Sequence, residues 1–64
     1  LLIDQFNDLN SAKLNTNKIK NLGLVIEEID NKIFVFAGPF DGNNINLKLD
    51  FLLKNGYMNA KIYP

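Results

Sequence analysis

At 64 residues the chain holds one domain with a single small core, near the lower limit for folding unaided and too small to wall off a deep catalytic cleft. A hydrophobic share of 47% excludes disorder, and seven Lys against seven acids, with no Arg, leave no field to attract nucleic acid or an anionic membrane. The absence of Cys and His excludes a disulfide framework, an ordinary zinc site and His-based acid–base chemistry, so no metal or cofactor is expected.

Residues 1–5 read as a first strand. Leu1 opens directly inside this apolar run, and no signal peptide or membrane span is visible, so the expectation is a domain cut from a longer chain. Asp8 or Asn10 suits the cap of a helix running to about Leu22, where Gly23 supplies the left-handed residue that ends it. On that helix Ala12, Thr16, Ile19 and Leu22 recur at spacings of four, three and three, which places them on one face. Residues 24–29 form the second strand and residues 33–38 the third. Asp30-Asn31 between them is a two-residue hairpin turn, because both residue types tolerate positive φ.

Residues 44–51, NINLKLDF, alternate strictly as a strand would. A helix is expected instead, because Ile45, Leu49, Leu52 and Leu53 form a stripe that ends at Gly56 and because the segment aligns with the first helix. Leu47 and Phe51 then lie on a flank, as Leu14 does on the first helix. Residues 57–63 read as a fourth strand.

The chain is self-similar in two halves, about 1–30 and 31–64. Phe6 matches Phe40 and Asn7 matches Asp41 at an offset of 34, while Leu14 and Leu47, Ile19 and Leu52, and Gly23 and Gly56 match at 33, so one residue slips between Phe6 and Leu14. Two strand–helix–strand halves make a single α+β domain of the pattern β-α-β-β-α-β.

The hairpin turn fixes a register in which Ile29 pairs with Lys32, Glu28 with Ile33, Glu27 with Phe34, Ile26 with Val35 and Val25 with Phe36. Leu24, Ile26, Val35 and Ala37 then line the helix-facing core, joined by Ile3. Val25, Glu27, Phe34 and Phe36 share the open face with Leu2 and Asp4. Asn59, Lys61 and Tyr63 join them if Ala60 and Ile62 face inward. Two Phe side chains where polar residues belong are the functional question. They form a sugar-stacking platform, a protein-docking patch with Leu2 and Val25, or a surface covered by a segment outside these 64 residues.

Together these features resemble a SPOR domain, a sporulation-related repeat module that binds bacterial peptidoglycan. Leu2-Ile3-Asp4-Gln5-Phe6 stands at the family's first-strand signature, Ser11-Ala12 at its Asn-Ala pair, and Ile19 and Gly23 at its Leu and Gly. Ala37-Gly38-Pro39-Phe40 matches the family's Gly-Pro-Phe turn, followed by Leu49, Leu52 and Gly56. The resemblance covers essentially the whole chain. Leu2 stands where the family usually offers Gln, and Phe34 and Phe36 stand where it often offers Arg or other polar groups.

The resemblance implies a two-layer RNP-like fold: a four-stranded antiparallel sheet in the order 4-1-3-2, two helices on one face, and a glycan groove across the other. It implies a non-catalytic module for glycan strands stripped of their stem peptides, working in the periplasm as part of an envelope-anchored or exported protein. Possible partners beyond the glycan are division or envelope proteins. Phe34 and Phe36 are expected to stack on sugars, with Asp4, Gln5, Glu27, Asn59 and Lys61 meeting hydroxyl and acetamido groups and Leu2, Val25 and Tyr63 completing the surface. Gly38-Pro39-Phe40 is read as structural. Asp4 and Glu27 are set aside as a hydrolytic carboxylate pair, because so small a domain does little to exclude water or raise a pKa. RNA stacking on the same face is set aside for want of positive charge and of an aromatic residue on the first strand.

Overall fold

The computed structural model describes residues 1–63. It is an α+β arrangement of strands β1 (Leu2–Phe6), β2 (Leu24–Ile29) and β3 (Lys32–Ala37) with helices α1 (Leu9–Thr16) and α2 (Asn44–Lys54). The strands form an antiparallel sheet in the order β1-β3-β2.

Helix α1 starts where Asp8 caps it: one carboxylate oxygen accepts from the Ser11 N–H at 2.8 Å and the other from the Ser11 hydroxyl at 3.1 Å. The helix expected to run to Leu22 stops at Thr16 and continues as tighter 3₁₀ turns over Asn17–Leu22, with a kink at Ile19. Asn15-Thr16-Asn17 accounts for the break. These are weak helix formers, and the side chains of Asn15 and Thr16 bond back to the Ser11 and Ala12 carbonyls, each at 2.7 Å. The change of pitch still keeps Ala12, Thr16 and Ile19 buried, and Gly23 ends the segment at φ 77°.

The β2–β3 register is the one the turn dictates, pair for pair from Leu24↔Ala37 to Ile29↔Lys32, with Asp30 at φ 51° and Asn31 at φ 65°. Helix α2 forms over the alternating segment. Asp41 organises its start by accepting from the Asn43 and Asn44 N–H groups at 3.1 and 2.9 Å. Asp8, rather than Asn7, thus does the work of Asp41 33 residues on, while Phe6 and Phe40 are 34 apart, so the slipped residue is Asn7.

Strand β1 departs from simple alternation. Leu2 pairs with Phe36, yet Asp4 pairs with Val35 and Gln5 with Phe34, so Ile3 and Asp4 together oppose one residue of β3. This bulge moves Gln5 onto the open face beside Phe34 and turns Phe6, opposite Ile33, onto the core. Asp4 does not join the open face as strict alternation requires; it sits at the outer edge of β1.

The expected fourth strand over residues 57–63 does not form. Tyr57 and Ala60 are both buried, and the Ala60 N–H donates to the Tyr57 carbonyl at 3.1 Å, which makes this stretch a turn. Burial at a spacing of three is incompatible with the two-residue period of a strand. Only Lys61 bridges to Leu2, through two backbone hydrogen bonds of 2.9 Å on the side of β1 away from β3. Ile62, expected to face inward, is exposed.

One cluster holds the layers together: Ile3, Ile33, Val35 and Ala37 from the sheet, Ala12 and Ile19 from the first helical segment, Leu52 from α2, and Tyr57 and Ala60 from the turn. Ile45, Leu49 and Leu53 pack against it from α2, so both helices cover the same sheet face. Ile26, expected in this core, is 38% exposed because β2 is an edge strand that the helices leave partly uncovered.

Candidate functional site

The face opposite the helices is built on β3. Ile33, Val35 and Ala37 point into the core, so Phe34 and Phe36 must point out, and both are half-buried there. Cross-strand pairing sets Gln5 and Glu27 on either side of Phe34, and Leu2 and Val25 on either side of Phe36. The two Phe rings lie with centroids 6.4 Å apart and planes within 20°. Tyr63 extends the row, its ring 5.2 Å from that of Phe36 and tilted by 56°. Three aromatic rings therefore form a continuous ladder, the third brought in by the segment that follows the Lys61 bridge.

A groove opens on each side of β3, the one toward β2 bordered by Phe36 and Tyr63 of the ladder. On the β2 side it has a volume of about 360 Å³ and is lined by Val25, Glu27, Phe36, Ala37, Gly38, Pro39 and Tyr63. On the β1 side a more polar groove of about 520 Å³ is lined by Leu2, Asp4, Gln5, Asn59 and Lys61. Within it the Asp4 carboxylate is held by the Gln5 N–H at 2.7 Å and by the Asn59 amide at 3.2 Å. Among the described residues, the Gln5 amide and the Lys61 ammonium have no hydrogen-bond partner, which leaves both available to a ligand.

The sequence-derived residues thus come together, with two adjustments. Leu2 is only 8% exposed, flanked by the Lys61 bridge and by Phe36, so it supports the ladder and offers little contact surface. Asp4 reaches the site from the edge of β1, as a rim group. Asp4 and Glu27 line separate grooves on strands divided by β3. Their side chains do not share a site.

Gly38 and Pro39, which the sequence pattern assigned to the turn alone, also line the β2-side groove. Their position immediately after Phe36, at the end of β3, carried the signal. Gly38 has φ 124°, and a Cβ there would lie 3.2 Å from the Phe40 nitrogen and 3.3 Å from the Phe40 ring. That conformation and close approach let Phe40 pack on the core while Pro39 remains exposed at the groove.

A third hollow, of about 220 Å³, was not anticipated; it lies between the helices and β1 and is lined by Asp4, Phe6, Asn15, Lys18, Asn55, Gly56 and Tyr57. Lys18 crosses it, donating to the Asn55 carbonyl at 3.1 Å with its ammonium 5.2 Å from the Tyr57 ring centre. Burial pushes the Tyr57 hydroxyl pKa up. On the helices, Leu14, Leu47 and Phe51 are exposed, as their flank positions required. Among the described residues no cluster of His, Cys, Asp and Glu is arranged to hold a metal ion, and no helix is long and apolar enough to cross a membrane. Comparison with protein-family models, characterised proteins and solved structures gave no match.

Proposed function

We propose that this chain is a non-catalytic, SPOR-like binding module that holds peptidoglycan glycan strands across its open sheet face. The observation that carries this reading is the Phe34–Phe36–Tyr63 ladder with a groove on each side of β3. Pyranose rings present C–H faces that stack on aromatic side chains, while their hydroxyl and acetamido groups need donors and acceptors alongside. Gln5, Asn59 and Lys61 supply these on one side and Glu27 on the other, so a sugar chain can lie on the ladder with polar groups at both margins.

In this reading all 64 residues are one domain of two β-α-β repeats, and Lys61 is what remains of the fourth strand in the order 4-1-3-2. The target is glycan stripped of stem peptides, as formed at division septa. The place of action is the periplasm, with the domain carried by an envelope-anchored or exported protein. Division or envelope proteins are secondary partners, and neither nucleic acid nor membrane is a direct one.

One observation favours a second reading. Val25 is 50% exposed beside Phe36 and Pro39, which makes the β2-side groove mainly apolar and suits a protein partner. Sedimentation with purified sacculi, before and after an amidase removes the stem peptides, separates the two. Amidase-dependent binding that disappears in Phe34→Ala/Phe36→Ala supports glycan recognition. A folded chain that sediments with neither preparation overturns it.

A further inference from the structure

Strand β2 ends the sheet, and every one of its residues after Leu24 is exposed. Ile29 and Lys32 flank a two-residue turn and so exchange hydrogen bonds, as do Glu27 with Phe34 and Val25 with Phe36 two and four residues on. The N–H and C=O groups of Leu24, Ile26 and Glu28 therefore point away from β3. None of them bonds to another described residue. Edge strands are ordinarily closed by a bulge, a Pro, charged side chains or a covering loop, and of these β2 has only charges. Its only charged side chains are Glu27 and Glu28, one on each face of the sheet. Neither forms an ion pair among the described residues.

These two carboxylates select the occupant. A second copy of β2 would have to match outward-pointing residues with outward-pointing residues. Centred on Glu27 or Glu28, that pairing sets a carboxylate directly against its own copy. Centred on Ile26, it sets Glu27 against Val25 and Glu28 against Leu24, with no cation directly opposite any of the four acids. A strand carrying two adjacent basic residues between β-branched ones has neither fault. Added antiparallel to β2, it places one cation beside Glu27 on the open face and the other beside Glu28 on the helix face. Its own backbone meets the groups of Leu24, Ile26 and Glu28. We infer that the β2 edge is a strand-addition site for an extended basic segment of a partner protein, sharing only Glu27 with the surface proposed above for the sugar chain.

The test is an NMR titration of the ¹⁵N-labelled chain with the peptide Val-Thr-Lys-Lys-Val-Thr, alongside the same peptide with both Lys replaced by Glu. Expected are slowed amide exchange at Leu24, Ile26 and Glu28, at least tenfold weaker binding of the Glu peptide, and loss of binding when alternate peptide nitrogens are methylated. Glu28→Lys, on the face away from the ladder, is expected to weaken the Lys peptide at least fivefold while sacculus binding is scored separately. Equal binding of the two peptides, unprotected edge amides, or a doubling of molecular mass with edge protection in the absence of peptide would each overturn the inference.

Discussion

The Tyr57 hydroxyl donates to the Asn15 carbonyl at 2.6 Å, tying the turn that follows α2 to the end of α1 across 42 positions of sequence. Asn15 lies in the last turn of α1, just before the tighter turns begin, so this bond ties the end of one helix to the turn that follows the other.

Tyr57→Phe keeps the packing and removes the bond. The expected loss is about 1 kcal/mol in urea denaturation, with little change in the far-UV spectrum.

The same residue gives the domain an alkaline limit. Burial raises the folded-state pKa of Tyr57 above its ordinary value of 10.0. Its contribution is fully present below the unfolded-state pKa and is lost as pH rises through the raised value, when the buried hydroxyl must ionise. Melting temperature should fall more steeply above about pH 10 in the wild type than in Tyr57→Phe.

Leu52 and Leu47 offer a sharper contrast, because an alternating strand would put them on opposite faces and the helix gives them very different burial. Leu52 is fully buried and Leu47 is 67% exposed. Leu52→Ala should cost about 2–5 kcal/mol, enough to unfold much of a domain whose total stability is roughly 3–10 kcal/mol. Leu47→Ala should stay within about 0.5 kcal/mol. Thermal denaturation followed by circular dichroism reads both.

Gly38→Ala tests the turn that shapes the β2-side groove. A methyl group at φ 124°, within 3.2 Å of the Phe40 nitrogen, should destabilise the chain by about 1–3 kcal/mol. It should also shift the NMR signals of Phe36, Pro39 and Tyr63. Val25→Ala, in the same groove but in unstrained strand, should leave the turn signals in place.

The hairpin was legible in the sequence because a two-residue Asp-Asn turn leaves one register, and that register placed Phe34 and Phe36 on the open face. The α2 stripe was legible once its repeat partner was noticed, although the local alternation argued for a strand. The β1 bulge was not, because alternation has no way to register an inserted residue. Its trace was there in Ile3 and Phe6, apolar at a spacing of three with Gln5 between, which no regular strand can bury on one side. The missing fourth strand has the same origin, since Tyr57 and Ala60 are also three apart. Both errors fell on segments whose partners are distant in sequence, where no short turn fixes the pairing.

Two backbone hydrogen bonds between Leu2 and Lys61 hold the segment that gives one groove Asn59 and Lys61 and the other Tyr63. Beyond the buried Ala60, residues 61–63 are held by these bonds and by the Tyr63–Phe36 contact, fewer links than join β2 to β3, so their free energy of local unfolding should be the lower. Release of that segment would take Lys61 from one groove and Tyr63 from the other, and leave Phe36 without Tyr63, in a single event. A ligand that lies across the ladder binds only the docked form, so its apparent Kd is scaled by the fraction of molecules in which residues 61–63 are in place. On the proposed reading, affinity on this face would be set by the docking of those three residues as well as by the rings they complete.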